Sequence, residues 1–400
     1  MFNALTLLST AILAATSVAA IPCVVFDAGW NLYAFGGQSG SGWNLGTQSS
    51  WTGSGSSVTA ISSTNAPPFD GVNTQCFLAQ FNNAIYVING DASNPLSIHV
   101  FDPTAQTWSV QSVTAGGIDP TSIQAILDHD TNVFFGLSGG TMYQLDFSGI
   151  KATANSTALA WDVVGTPNFS YGSTTPAMAI ADNHIFFMGI PANTAGEANI
   201  FVIHFSFFQP EVQAFTAVSG SKTFPAVGGA VTSLWEDSST GQVQQNFAFF
   251  PTDGSGTYVV DVITNTTTTL PAPPTSPSTA GSSYAGSMTT LVQLDPKGQL
   301  YFIALDQTQL TAATSASWTK IPNSLWSANP TTAATLKVAS ATAATAGAAK
   351  TSGAAASTTV SSSNTHTSAT ASGSGPSKNP VKFAGALSAI AVVFIGFAAM

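Results

Sequence analysis

A short apolar and aromatic segment recurs six times along this 400-residue chain, and this recurrence limits the possible folds more than any other feature. Successive copies are about 50 to 60 residues apart, and such self-similarity is typical of repeat architectures. The six copies are Asn31–Phe35, Ala84–Ile88, Asn132–Phe135, His184–Phe187, Asn246–Phe249 and Gln299–Phe302.

Each copy is the second of four predicted strands. An apolar segment and a polar turn precede it, as in Cys23–Phe26, Cys76–Ala79 and Leu291–Leu294. A third apolar strand follows, often closed by Asp as in Ile98–Asp102. A tryptophan then opens the fourth strand, at Trp51, Trp108, Trp161 and Trp318. A four-stranded antiparallel sheet has two faces to bury, so six of them stacked radially predict an all-β, six-bladed β-propeller.

The repeat resembles that of the kelch family, in which a strand ends in two glycines and the next strand ends in Asp before a Trp. Leu32–Gly37 matches the first half, and Ile85–Gly90 with Asp102 and Trp108 matches nearly all of it. The fourth and fifth copies depart from the pattern, since neither ends in a double glycine. The resemblance implies a kelch-type propeller like those of fungal secreted proteins, including the central domain of galactose-oxidase-like enzymes.

Both ends of the chain read as targeting segments. Residues 1–20 are apolar and uncharged and end in small residues, which predicts a signal peptide before a propeller at 21–327. Residues 328–375 form a Ser/Thr/Ala-rich stretch, predicted to be a disordered, glycosylated stalk. Residues 376–400 combine a polar spacer with an apolar tail, which predicts a glycosylphosphatidylinositol anchor at Gly373 or Ser374. A single transmembrane span is the alternative for the tail.

The charge balance excludes several classes of ligand. The chain has 18 acidic residues, 8 lysines and no arginine, with a net charge of −10. Such a chain is a poor candidate for binding nucleic acid or an anionic membrane surface. It also lacks the arginines with which sialidase-like propellers bind a substrate carboxylate.

Several features are typical of the secretory pathway. The sequons at Asn155, Asn168 and Asn265 predict N-glycosylated surface loops. Cys23 and Cys76 each lie ten residues before the aromatic residue of the next strand, which places them at one position on the innermost strands of neighbouring blades. We therefore predict a Cys23–Cys76 disulfide, and a protein on the extracellular face of the plasma membrane or in the cell wall.

No catalytic residue, metal ligand or cofactor site is assigned. A copper radical site needs converging histidines and a phenolate or thiolate, whereas His99 and His204 fall within apolar strands. His129, between Asp128 and Asp130, is the most ligand-like histidine, and its position predicts a solvated turn. Carboxylates such as Glu211, Glu236 and Asp253 could supply a catalytic pair, so a carbohydrate-active enzyme remains the alternative function.

The favoured function is a non-enzymatic surface module that binds a carbohydrate or a protein. Loops after the second and fourth strands leave from one face, and in this sequence they are long, which favours a binding role. We predict that aromatic side chains there stack on the ligand and that polar ones donate or accept hydrogen bonds. The predicted ligand-binding residues are Trp43, Asp91, Asn94, Tyr171, Glu197 and Tyr284.

Overall fold

A computed structural model describes part of the chain, all of it within the compact unit Met1–Leu336. The described residues are 22–37, 42–52, 58–172, 175–237, 239, 241, 243–278, 281–306 and 317–324. The predicted signal peptide, stalk and anchor segment, including Gly373 and Ser374, lie outside these ranges. No helix within them is long and apolar enough to span a membrane.

The first three blades are four-stranded antiparallel sheets built from consecutive strands. Blade one contains β1 Cys23–Phe26, β2 Leu32–Phe35, β3 Gly42–Asn44 and β4 Thr59–Ile61. Blade two contains β5 Gln75–Ala79, β6 Ala84–Ile88, β7 Ile98–Asp102 and β8 Thr107–Gln111. After β9 Val113–Thr114, blade three contains β10 Gln124–Asp128, β11 Val133–Ser138, β12 Thr141–Asp146 and β14 Asp162–Gly165, and β13 Leu159–Ala160 pairs in parallel with β9.

The last three blades follow the same plan with small additions. Blade four contains β15 Ala177–Ala181, β16 His184–Met188, β17 Glu197–Val202 and a divided outer strand, β18 Phe207–Phe208 and β19 Gln213–Ala214. After β20 Thr216–Ala217, blade five contains β21 Gly229–Leu234, β22 Asn246–Pro251, β23 Thr257–Asp261 and β24 Thr266–Leu270, and β20 pairs in parallel with β24. Blade six contains β25 Ser283–Gly286, β26 Thr290–Leu294, β27 Gln299–Ala304 and β28 Thr319–Ser324.

The predicted all-β, six-bladed propeller is therefore confirmed. Helical structure among the described residues is limited to short 3-10 turns, such as those at Gln48–Ser50, Gln80–Asn82 and Ile203–Phe205.

In blades one to five, aromatic side chains of the second strand pack against the next blade, which explains why this segment recurs in the sequence. The ring of Phe35 on β2 lies 5.6 Å from that of Phe101 and 5.2 Å from that of Trp108, both in blade two. Tyr86 on β6 contacts Phe147 of blade three at 5.0 Å. Each blade thus buries its aromatic face only when the following blade is present.

The aspartates that close the third strands stabilise the turns that follow. The Asp102 Oδ1 atom accepts hydrogen bonds from the backbone N–H groups of Thr104 and Ala105, at 2.8 and 2.9 Å. Asp261 accepts the equivalent pair of bonds in blade five. A carboxylate that accepts backbone N–H groups two and three residues later favours a tight turn, so this part of the repeat is structural.

The innermost strands define two faces of the propeller. We call the face at their N-terminal ends the upper face; it carries the connections after second and fourth strands. The opposite, lower face carries the connections after first and third strands. Because strands alternate in direction across every blade, the described chain begins at the upper face before β1 and ends there after β28.

Blade six is complete in itself, so the ring closes without exchanging a strand, as predicted. The contact between blades six and one rests on side chains. The Ser283 Oγ atom accepts a hydrogen bond of 3.0 Å from the Val24 N–H group, and Gln48 Oε1 accepts one from Thr290 Oγ1.

The predicted disulfide is confirmed. Cys23 on β1 and Cys76 on β5 are bonded, with their Cα atoms 6.0 Å apart. The bridge joins the innermost strands of blades one and two near the upper face, and so fixes the start of the described chain to its neighbouring blade.

The strands of blade six were predicted one position too early in the blade, and this assignment is wrong. Leu291–Leu294 is predicted as the innermost strand, but it lies within β26, and the segment at Gln299–Phe302 belongs to the third strand. The true innermost strand is β25, whose sequence is Ser-Tyr-Ala-Gly. So short a segment with only one large side chain lacks the apolar signal of a strand. Its small residues fit the position, since a Cβ on Gly286 would lie 2.2 Å from the Ser233 oxygen of blade five.

Candidate functional site

A cavity of about 320 Å³ lies along the propeller axis, and all six innermost strands contribute to its wall. At the upper face it is bounded by residues that precede the strands, namely Asn73, Thr74 and Ser282. Its volume falls at the lower end of the range typical of small-molecule sites, about 300–1,000 Å³.

The cavity wall combines amides and hydroxyl groups with apolar strands and contains no ionisable group apart from the Tyr284 phenol. Gln75 does not offer its amide freely, because its Nε2 donates to the Ile123 oxygen at 3.0 Å and its Oε1 accepts from the Ala125 N–H group at 3.0 Å. Gln124, by contrast, makes no side-chain hydrogen bond with the described part of the chain. Its half-buried amide is a free donor and acceptor in the wall.

One long connection of blade five reaches the lower end of the cavity through Trp235. This segment, residues 235–245, joins β21 to β22 and begins with Trp235, which lines the cavity. The other blades join their first two strands with much shorter turns, such as Gln80–Asn83 in blade two. We call residues 235–245 the axial loop.

The axial loop contacts each of the other five blades. Trp235 packs against Trp30 of blade one and His129 of blade three, with ring centroids 6.5 and 4.8 Å apart. The backbone oxygen of Glu236 accepts a hydrogen bond of 2.9 Å from Gln80 Nε2, which belongs to the diametrically opposite blade two.

Backbone groups complete this set of contacts. The Gln244 oxygen accepts a bond of 2.7 Å from the Asp182 N–H group of blade four, and the Trp235 N–H group donates to the Ser287 oxygen of blade six at 3.4 Å. The axial loop therefore acts as a common support for the ring on its lower face.

His129 is buried beneath this loop, so the prediction of a solvated turn is wrong. Its side chain is only 1% exposed, stacked on Phe81 at 5.4 Å and in contact with Trp235. Gln244 Nε2 lies 2.8 Å from His129 Nδ1 and donates to it. The neutral ring then carries its hydrogen on Nε2, and this N–H group donates a hydrogen bond to Asp130 Oδ1 at 3.1 Å. The cause is a long-range contact, because the residues that cover His129 come from blades two and five.

Burial displaces the pKa values of the three residues around this turn. It lowers the pKa of His129 to about 4, so the ring is neutral at physiological pH. Burial, and then the charge of Asp128, raises the pKa of Asp130 to about 6. Burial also raises the pKa of Asp128, although hydrogen bonds from Thr131 and the backbone oppose this effect. Among the described residues no group of three or more His, Cys, Asp or Glu side chains is arranged to hold a metal ion.

Four of the predicted ligand-binding residues lie on the upper face, as expected from the topology. Asp91 and Asn94 share the connection between β6 and β7, where the Asp91 oxygen accepts the Asn94 N–H group at 3.1 Å. Glu197 begins β17, and its Oε2 atom accepts the Thr194 N–H group at 2.7 Å. The Tyr171 hydroxyl accepts the Gly140 N–H group at 2.9 Å. Glu197 therefore stabilises its own loop, the Tyr171 hydroxyl binds the turn between β11 and β12, and the four residues are distributed over three blades.

The other two predicted residues lie on strands. Trp43 is in the middle of β3 and packs against the hydrophobic cluster that joins blades six, one and two. Tyr284 is on β25, where its ring stacks on Phe250 of blade five at 4.1 Å and its hydroxyl donates to the Thr275 oxygen. Of the six predicted ligand-binding residues, Tyr284 alone is among the residues that line the axial cavity.

The three predicted glycosylation sites are accessible. Asn155 and Asn168 are exposed and Asn265 is partly exposed. The Asn168 amide donates to the Gln209 oxygen at 2.8 Å, a bond that a glycosylated asparagine can keep because one Nδ2–H remains. None of the three is among the residues that line the axial cavity.

Comparisons with known proteins bear on the fold. No known family matches the chain, and no curated protein matches it. Among solved structures, it is similar to YjhT at 10% sequence identity and a TM-score of 0.47, covering 76% of this chain and 98% of that one. It is also similar to a chain in the crystal structure of a nidogen/laminin complex, at 10% identity and a TM-score of 0.37, covering 62% and 79%. The six-bladed architecture rests on the sheets of this chain itself.

Proposed function

We propose that the propeller is a non-enzymatic binding module that takes a neutral saccharide in its axial cavity. The observation that carries this proposal is the cavity wall, in which amide and hydroxyl side chains from blades two, three, five and six line a volume of about 320 Å³ without an acidic or basic side chain.

The absence of acidic and basic groups from this wall selects against charged ligands. An ionised ligand placed there would lose its hydration without gaining an opposite charge, and such burial is costly. A neutral, hydroxyl-rich ligand can instead exchange hydrogen bonds with water for bonds to side chains such as Gln124 and Thr232, while its apolar faces contact Met178 and Ile126.

Hydrolysis by paired carboxylates finds less support at this cavity, because no Asp or Glu side chain is among the residues that line it. The carboxylates of Asp128 and Asp130 are on the lower face, where the axial loop and the His129 side chain occupy the space around them.

Display outside the cell is part of the proposal. It is supported by the Cys23–Cys76 disulfide, since such bonds persist in oxidising compartments, and by the accessible sequons. The N-terminal leader, the stalk and the lipid anchor, with a transmembrane span as the alternative to the anchor, rest on the sequence alone. Assignment to the secreted fungal kelch type rests on the motifs at Leu32–Gly37 and Ile85–Gly90.

Binding to an array of neutral and acidic glycans tests this function. We expect neutral glycans to bind and sialylated, sulfated or uronate-containing ones to bind weakly or not at all. Gln124→Met removes the free amide at nearly constant volume and should weaken binding about tenfold, the value of one hydrogen bond. Gln209→Met, outside the cavity, is the matched control. Selective binding of acidic glycans, or equal binding by the Gln124→Met variant, would contradict the proposal.

A further inference from the structure

A second cavity lies on the lower face, at the junction between blades six and one. Its volume is about 260 Å³. Its wall is formed by the turn after β1, the connection after β3 and the turn after β25. It thus opens on the face opposite to the one where the described chain begins and ends.

Trp30 is the large aromatic side chain with access to this cavity. Its ring is partly exposed, with an edge contact to Phe26 at 6.4 Å and a tilted contact to Trp235 at 6.5 Å. Neither neighbour is stacked in parallel on the indole, so neither contact occupies a ring face in the manner of a stacked pair.

The backbone of Trp30 has a left-handed conformation, with φ of 60°. The corresponding turns of blades two, three and four place an asparagine at positive φ, namely Asn83, Asn132 and Asn183. Asparagine tolerates this conformation, whereas a bulky side chain is strained in it. Blade one therefore retains a tryptophan where its neighbours use the less strained residue, and such strain often accompanies function.

The turn is held rigidly around this residue. Asp27 Oδ1 accepts the Asn31 N–H group at 2.8 Å, and the Asp27 backbone oxygen accepts the Trp30 N–H group at 3.0 Å. Asn83 Oδ1 of blade two accepts the Ala28 N–H group at 2.9 Å. A rigid turn positions the ring before a ligand arrives and so lowers the entropic cost of binding.

The rest of the cavity wall is uncharged and combines polar side chains with the apolar side chains of Met288 and Phe26. Thr47, Gln48 and Ser49 approach from one side, and Ser287 and Thr289 from the other. An aromatic ring beside hydroxyl and amide groups suits a pyranose, which has an apolar face of C–H groups and an equatorial edge of hydroxyl groups. Gln48 Oε1 already accepts hydrogen bonds from Thr289 and Thr290, which leaves its amide N–H groups for a ligand.

We propose that this cavity is a second saccharide site, in which one neutral pyranose stacks on Trp30 and hydrogen-bonds to Gln48 and the surrounding hydroxyl groups. The site is independent of the axial cavity, because its polar groups lie on the lower face and Phe26 is the one residue that lines both.

Indole resonances of the purified full-length protein test this site directly. The protein labelled with ¹⁵N is titrated with neutral tetrasaccharides: cellotetraose, laminaritetraose, chitotetraose and mannotetraose. The Trp30 signal is assigned by its absence from the Trp30→Asn variant. At least one sugar should shift this signal in a saturable way, and the shift should persist in the Gln124→Met variant. The test therefore stands even if the axial cavity binds nothing.

Calorimetry of the same variants separates binding from stability. Trp30→Asn should weaken the lower-face site at least tenfold and change the melting temperature only modestly, because the relief of the left-handed turn offsets the lost contacts with Phe26 and Trp235. Trp30→Phe should keep part of the affinity, and Phe205→Asn, at a side chain that is 82% exposed on the same face, should keep all of it. If none of the four sugars shifts the Trp30 signal at about 10 mM, or if Trp30→Asn binds as the unmodified protein does, the proposal is wrong.

Discussion

The indole ring of Trp235 in blade five lies 4.8 Å from the imidazole ring of His129 in blade three, with the two planes 73° apart. The blades that carry them are not neighbours in the ring, so this contact spans the propeller axis. It lies at the lower end of the axial cavity and covers a histidine that would otherwise sit in an open turn.

Removing this ring should destabilise the whole propeller. Trp235 is 9% exposed and contacts blades one and three, so Trp235→Ala should lower the free energy of unfolding by about 3 kcal/mol. Phe205→Ala removes an aromatic ring that is 82% exposed and should change it by less than about 0.5 kcal/mol. Urea unfolding followed by circular dichroism measures both. Equal effects would mean that the axial loop does not support the ring.

The disulfide should contribute through the unfolded state. Its cysteines are 53 residues apart, and closing a loop of that length stabilises a fold by roughly 4 kcal/mol in the chain-entropy description. A reducing agent should lower the stability of the unmodified protein by a similar amount. The Cys23→Ser/Cys76→Ser variant should have the lower stability already and should not respond to the reducing agent. A response by that variant would show that the reducing agent acts elsewhere.

Asp130 should make stability depend on pH with an unusual sign. Its folded pKa of about 6 lies above the unfolded value of 3.8, so between these values the folded state binds more protons. The contribution of Asp130 to the free energy of unfolding therefore falls as the pH rises from about 4 to 6. Above that range, the buried, ionised carboxylate destabilises the folded state. Asp130→Asn should stabilise the protein at pH 7 by about 1 kcal/mol, a value reduced for solvent screening, and should have little effect near pH 4.

The difference in unfolding free energy between the unmodified protein and the Asp130→Asn variant, measured at each pH, reports Asp130 together with any change in its hydrogen-bonded neighbour His129, whose own effect has the opposite sign. Burial lowers the folded pKa of His129 to about 4, so its contribution is lost as the pH falls from 6.5 toward 4. A difference that stays constant from pH 4 to 7 would contradict the assignment of the raised pKa to Asp130.

A methyl group at Gly286 should separate two blades. The added Cβ would meet the Ser233 oxygen at 2.2 Å, and both residues lie on innermost strands. Gly286→Ala should therefore destabilise the fold by about 2–3 kcal/mol, as overpacking does. Gly165→Ala on β14, where a Cβ meets no atom within 4 Å, is the control. Thermal melts of the two variants should differ clearly, and coincident melts would mean that blades five and six can move apart without loss.

The architecture was predictable because the same physical requirement recurs in most blades. The aromatic residue of the second strand must cover the next blade, so Tyr33 and Tyr86 recur at similar positions, and the paired cysteines follow the same period. Blade six was misaligned because β25 carries a single large side chain, and its position is evident only from the neighbouring strands.

The candidate sites were less predictable, because they depend on contacts between distant parts of the chain. The burial of His129 follows from Gln244, 115 residues away, and the role of Trp235 follows from its position on the axis. One signal was present in the sequence: the connection between the first two strands is far longer in blade five than in the other blades. Trp30 could be recognised only from its left-handed backbone and the cavity beside it.

The ring closes through side-chain contacts and no described strand is shared between blades. The chain could therefore begin at any blade without changing the arrangement of the six sheets. Every blade is one contiguous stretch, and the described chain begins and ends on the upper face, like every connection between blades. A circular permutant that begins at β5 and joins Ser324 to Cys23 through a linker would therefore keep all six sheets intact. In that rearranged protein, the Cys23–Cys76 disulfide would covalently link the first blade of the chain to the last.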